Sequence, residues 1–416
     1  MMRRVVVDYP LVLLALALSC YGIAMVYSAG QTDVPTVAGS AWKAQIVWLG
    51  LALSVMFVAT RASVRLIEWL TGPAYVLSVV LLVVTLLFGS GAGTAASVKG
   101  WLTIGGIRLG QPAELAKVTV VLMLARVLSA RRDSPKSLLE LWQPALVVGV
   151  PWLLIMAQPD LGTGIAFIGI FFGMLYWSGV PLPLLVLVSS PAVSLILAFS
   201  GRVWGAWFLL LLALVIWYKP FLVEGVGLIL ANLVTGVIAP MLWDALAPYQ
   251  RHRLLVFLDP SIDPRASGWH VIQSQVAIGS GGLLGKGFTL GTQKRLAFLP
   301  AQHTDFIFAV VGEEMGFVGV ALALSLFLLL LLRTLRIAQR ANDSFSSLIA
   351  FGLATGWLVH IIVNIGMTLN LMPITGIPLP FFSYGGSFML ASWLAIGIVM
   401  RISGEGRGGH RGSLEV

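Results

Sequence analysis

The chain has 416 residues, of which 58% are hydrophobic and only 10% charged, and it carries a net charge of +9. Soluble domains are roughly 25% charged, so this composition excludes a soluble enzyme or binding module and points to a protein that lives in lipid. The surplus cations lie in loops between apolar runs rather than in a basic domain, which excludes a nucleic-acid binder and fits membrane topology. The single cysteine, Cys20, sits inside an apolar run and gives no disulfide framework.

Arg3 and Arg4 followed by the apolar run from Pro10 resemble a signal peptide. More spans follow instead of an exported domain, so an uncleaved first span is the better reading. A span needs about 20 apolar residues. Twelve such segments are expected: Pro10–Ser28, Ala44–Thr60, Trp69–Phe88, Gln111–Ser129, Trp142–Ala157, Asp160–Trp177, Leu182–Ser200, Trp204–Tyr218, Phe221–Leu246, Asp305–Leu332, Phe345–Leu369 and Ser383–Met400. The fold class is therefore an all-α, polytopic helical bundle forming one membrane domain over 1–416. It carries a long loop at 247–304 and a short flexible tail at 402–416. Cation bias puts both termini in the cytoplasm, because the short loops holding Lys43, Lys99, Arg108 and Arg202 are poor in Lys and Arg. The long loop then lies outside. Its Arg251, Arg253, Arg265, Lys286, Lys294 and Arg295 break the bias, as long loops do, and they suggest an outer basic patch.

Three segments place acids at helix starts. Gln111-Pro112-Ala113-Glu114-Leu115-Ala116-Lys117 opens the fourth span, with Pro112 suited to a first turn and Glu114 on the same face as Lys117. Charge near the membrane boundary is expensive unless paired or functional, and a simple intrahelical ion pair is the plain alternative. Gln158-Pro159-Asp160-Leu161-Gly162 opens the sixth span, where Asp160 could do no more than balance a helix dipole. In His303-Thr304-Asp305, Thr304 is expected to cap the tenth span and Asp305 to fall in its first turn.

The stretch Gly268–Gly316 is too long and polar for a connector. Ser280–Gly287 lacks the glycine and Lys-Ser/Thr pattern of a phosphate-binding loop and the third glycine of a dinucleotide motif, so no nucleotide or organic cofactor is expected. Glu313 and Glu314 lie inside the tenth span, and one of them should face the bundle and pair. His360 and Asn364 share a face of the eleventh span and read as interhelical hydrogen-bond partners. Gly169 and Gly173 read as a close helix crossing.

Taken together, these motifs resemble the SEDS family of RodA and FtsW proteins. The carriers are Lys99 to Lys117, Gln158–Gly162, Gln273–Gly291 with Leu299-Pro300 and His303–Phe308, and Pro378–Ser387. Leu284-Gly285-Lys286-Gly287 and Gly291-Thr292-Gln293 look more like RodA than FtsW. Ala113 and Ala301 depart from the family pattern, as does Gly100 before Trp101. The resemblance implies a ten-span core, with extra hydrophobic material between Trp177 and Tyr249 here that is enough for one more hairpin.

It further implies a peptidoglycan glycosyltransferase of the bacterial inner membrane that polymerises lipid II on an undecaprenyl pyrophosphate carrier during cell elongation. Asp305 is the implied catalytic residue, as a base or as ligand to a divalent cation such as Mg or Mn. Trp101, Gln111, Glu114, Lys117, Asp160, Lys286, His303 and Ser383 are the implied substrate-binding residues. A class B penicillin-binding protein is the implied partner. The rival reading is a flippase or transporter of the lipid-linked precursor, which twelve spans and intramembrane charges would also suit.

Overall fold

The computed structural model describes residues 8–33, 36–91, 99–104, 107–245, 251, 255–257, 267–299 and 301–412. Arg3, Arg4, Arg253, Arg265 and Pro300 lie outside the described residues. Every expected span is a helix. They are α1 (Tyr9–Ala29), α2 (Ala41–Arg61), α3 (Val64–Phe88), α4 (Pro112–Ser129), α5 (Trp142–Ala157), α6 (Leu161–Trp177), α7 (Leu182–Leu197), α8 (Gly201–Tyr218) and α9 (Leu222–Ala245). After the long loop, which holds α10 (Ser267–Ser280) and the short α11 (Thr292–Arg295), come α12 (Ile307–Gln339), α13 (Ser344–Thr368) and α14 (Gly386–Gly412). Among the described residues, nine helices are long and apolar enough to cross a membrane, and α6 and α7 are shorter apolar helices. The protein is a multi-pass membrane protein.

Helices α4, α13 and α14 are buried on most faces and form the centre, with α1, α2, α6 and α12 packed around them. Apolar side chains turn outward on α2, α3, α8 and α9, as lipid-facing helices require. Cys20 is exposed on the face of α1. Helices α8 and α9 pack mainly on α7 and build a small separate core of Leu187, Leu211 and Leu228. The outlying position of α7–α9 matches the region of extra hydrophobic material. Between α3 and α4, strands β1 (Leu102–Ile104) and β2 (Ile107–Gly110) pair antiparallel, with a bulge between Leu102 and Thr103.

One expectation about the end of an element changes. The tail expected from 402 begins as a continuation of α14, which remains helical to Gly412. Within the long loop, α10 packs against α12 and α13.

Helix α12 is broken at Gly316, where φ is 60° and ψ is −160°. A side chain could not hold that backbone cheaply. The Gly-rich loop enters the break and replaces the missing helical bonds. The amides of Lys286 and Gly287 donate to the carbonyls of Glu313 and Glu314, and the carbonyls of Gly282 and Leu283 accept from Phe317 and Val318. Irregular backbone at this depth survives because each strand of the break satisfies the other.

Candidate active site

Helices α4, α6, α12 and α14 all begin at one end of the bundle, around the segment 369–385 that links α13 to α14. This segment is held rigidly. Phe381 sits at φ 62°, rare for a bulky residue, and its buried ring is clamped edge-on between Trp357 and Trp393. Ser383 Oγ donates to the Thr304 carbonyl at 2.7 Å and accepts from the Leu379 amide at 2.9 Å. Gln45, fully buried on α2, donates from its amide to the Ser383 carbonyl at 3.0 Å and accepts from the Gly385 amide at 3.2 Å.

Asp305 lies against this segment. Its backbone carbonyl accepts from the Asn364 side-chain amide at 3.0 Å, and the same amide donates to the Ile377 carbonyl at 2.8 Å. The carboxylate faces the backbone of Gly376, which has φ 74°; a Cβ built on Gly376 would lie 3.4 Å from Asp305 Oδ2. Asp305 is half-buried and Gly376 exposed, so the carboxylate stands at an open edge. The helix behind it starts two residues later than expected. The cap of α12 is Phe306, with no side-chain cap bond, and Thr304 Oγ1 donates backward to Ala301. Asp305 therefore sits just outside the helix rather than in its first turn, because residues 301–306 close a turn on the Ala301 carbonyl.

Asp160 is likewise the cap of α6 rather than a member of its first turn. It accepts from the Thr163 amide at 3.0 Å and from Gln111 Nε2 at 3.2 Å. In the first turn of α6, a Cβ on Gly162 would collide with Thr375 and Ile377. The chain of contacts thus runs from Gln111 and Asp160 through residues 375–377 to Asp305. The amide of Gln111 is in turn held by Ser387 Oγ at 3.1 Å.

Glu114 does lie in the first turn of α4, but it and Lys117 are buried beneath this edge, paired at 2.8 Å. Lys117 Nζ also donates to His360 Nε2 at 2.7 Å, and His360 Nδ1 reaches the Pro378 carbonyl at 2.9 Å. The His303 backbone carbonyl accepts from the Tyr384 amide at 3.0 Å, and the two rings lie 5.5 Å apart. Burial holds the His303 imidazole below its usual pKa. Trp101, half-buried, bridges back to Ser90 ahead of β1.

Among the described residues, the cations of the expected outer basic patch are paired with acids. Lys286 pairs with Glu313 at 2.8 Å, Lys294 with Glu314 at 2.7 Å, and Arg295 with Asp33 at 3.0 Å. Lys286 thus ties the Gly-rich loop to α12 at the break. Both glutamates of α12 pair, where the sequence promised one. Lys294 is fully buried and also donates to Ser28 Oγ and to the Ser28 carbonyl, both at 2.6 Å. Gln302 donates to the Ala29 carbonyl at 2.7 Å. These bonds tie the end of α1 to the segment leading into Asp305.

Sequence reasoning missed Gln45 and Gly376. A lone amide in the apolar run of α2 was a usable signal for Gln45; nothing local marked Gly376.

The family described as cell cycle protein, FTSW_RODA_SPOVE, matches residues 9–207 and 203–408. The peptidoglycan glycosyltransferase MrdB of Escherichia coli K12 is 36% identical over 402 residues, covering 96% of this chain and 94% of that protein. The peptidoglycan glycosyltransferase RodA of Treponema pallidum is 35% identical, covering 95% and 97%. Relatives carrying the name FtsW match at 30 to 34%. A solved chain from a study of the structural coordination of polymerization and crosslinking by a peptidoglycan synthase complex superposes with a TM-score of 0.72. It shares 30% identity and covers 96% of this chain and 98% of its own.

Proposed function

This chain belongs to the FTSW_RODA_SPOVE family of cell cycle proteins, and from that membership we propose that it is a RodA-like peptidoglycan glycosyltransferase polymerising lipid II. The donor is the growing strand on its undecaprenyl pyrophosphate carrier and the acceptor is lipid II. The observation that carries the assignment of the site is Asp305, whose backbone carbonyl is held by Asn364 and whose carboxylate faces Gly376 at an open edge, with Gln111 and Asp160 joined to the same segment through Gly162.

A sugar hydroxyl is a poor nucleophile, and a positioned base removing its proton is worth typically 10²–10⁴-fold. Asp305 supplies that base at the bundle end where the acceptor hydroxyl would meet the donor. The 369–385 segment, tied down by Gln45 and Ser383, backs the carboxylate at Gly376, and the buried Glu114–Lys117 pair reaches the same segment through His360 and Pro378. Among the described residues no three His, Cys, Asp or Glu side chains gather to hold a metal alone. Magnesium or manganese is commonly held by one or two carboxylates together with substrate phosphates, and Asp305 fits that role. Such an ion would offset the negative charge that develops as pyrophosphate departs.

The cation bias supports a bacterial inner-membrane setting with the site end outside and both termini cytoplasmic. A class B penicillin-binding protein is the partner that would crosslink the product, and the similar solved chain comes from a complex coupling the two reactions. The test is polymerisation by the purified protein with its partner, in detergent, from lipid II alone. Glycan polymer is expected from the unaltered protein and none from Asp305→Asn, with partner binding kept. Near-normal polymer from Asp305→Asn would refute the site. Transport of lipid II without polymer would refute the enzyme.

A further inference from the structure

His360 was expected to do no more than bridge helices, yet its ring stands between two elements of the site. A carbonyl only accepts, so the Pro378 contact at 2.9 Å requires a proton on Nδ1. An ammonium only donates, so the Lys117 contact at 2.7 Å requires a lone pair on Nε2. Both conditions are met by one species: the neutral ring with its proton on Nδ1. The ring is buried, stacked on Phe388 with centroids 4.7 Å apart, and Lys117 Nζ lies 5.0 Å from the centre of that same Phe388 ring. One turn further along α13, Asn364 holds the Ile377 and Asp305 carbonyls. Two side chains of one helix face thus clamp the segment that backs the Asp305 carboxylate, and one of them also carries the α4 cation.

We propose that His360 is a positioning residue for glycosyl transfer, a neutral hydrogen-bond relay that fixes the Lys117 ammonium relative to the Pro378 carbonyl and so holds the 375–378 segment in place behind Asp305. This rests on the polymerase reading, but its geometry does not. The relay donates from Nδ1 and accepts at Nε2 in its resting state, and no proton needs to move through it during the reaction. It acts on turnover rather than on substrate capture, because both Lys117 and His360 are buried away from the open edge.

Two substitutions separate hydrogen bonding from packing. His360→Gln keeps a donor for Pro378 and an acceptor for Lys117, whereas His360→Phe keeps a ring to stack on Phe388 and loses both bonds. The relay predicts that Gln retains most of kcat, while Phe lowers kcat by about ten- to a hundredfold with KM little changed, as for hydrogen bonds to a charged group. A packing role predicts the opposite order. A second measurement needs no activity. In unaltered protein labelled with ¹⁵N-histidine, one of the five histidines should show a protonated Nδ1 and an unprotonated, hydrogen-bonded Nε2 at neutral pH. That signal should be the one missing from His360→Gln. A ring protonated on Nε2, a Phe variant as active as Gln, or a loss confined to KM would each overturn the proposal. If the ¹⁵N signature holds while neither unaltered protein nor variant polymerises lipid II, the polymerase reading fails and the relay stands.

Discussion

Glu314→Gln is the sharpest test of how the long loop is held. Glu314 and Lys294 are both fully buried, their ion pair spans 2.7 Å, and Ser28 Oγ donates to Glu314 at 2.5 Å. Removing one partner of such a pair leaves an uncompensated buried charge and costs about 3–5 kcal/mol, whereas replacing both by apolar groups is often neutral. With an unfolding entropy of about 2.1 cal/mol/K per residue over 416 residues, that loss lowers the melting temperature by roughly 3–6 °C. Lys294→Met alone should act in the same direction. The double variant Lys294→Met with Glu314→Leu should recover most of the loss, since residues in contact do not add. The assay is thermal unfolding in detergent of the four proteins side by side. A single variant as stable as the parent, or a double variant as unstable as the sum of the singles, would refute the reasoning that this pair anchors the loop.

Gly376→Ala forces an L side chain into φ 74° next to the Asp305 carboxylate. It should cost about 1–2 kcal/mol and reduce polymerisation more than it reduces stability, read by activity beside melting temperature. Gly169→Leu should loosen the α6–α13 crossing, because even a Cβ at this glycine meets Val359. A loss of about 1–3 kcal/mol is expected from overpacking, measured as aggregation temperature. Because burial depresses the His303 pKa, the unfolded chain binds more protons as pH falls below about 6.5. Stability should therefore decline from there toward the folded-state value, and His303→Asn should flatten that decline in melting curves taken from pH 7.5 to 5. Arg202 and Lys219 stand at the two ends of α8 (Gly201–Tyr218), so cysteines placed at the two positions should be labelled from opposite sides of the membrane. Labelling from one side would remove the extra hairpin.

The sequence alone determined the parts that depend on composition and local chemistry. Twelve apolar runs became helices at nearly their expected ends, since hydrocarbon leaves the backbone no other partner than itself. The close crossing at Gly169 and Gly173, now seen against Val359 and Thr355, was also legible, whereas Asn364 bonds loop carbonyls at Asp305 and Ile377 rather than a neighbouring helix. What the sequence left open was every question of partner choice. Lys286, Lys294 and Arg295 read as a basic face toward an anionic ligand, yet each is bound to an acid up to 262 positions away or just across the α12 break. Spacing along a helix could predict the Glu114–Lys117 pair but not that His360, 243 residues on, completes it. Only the tertiary structure decided that a glycine at 376 backs the Asp305 carboxylate and that the Gly-rich loop mends a broken helix. Both depend on backbone meeting backbone across the bundle, and such contacts leave no periodicity in the chain that could announce them.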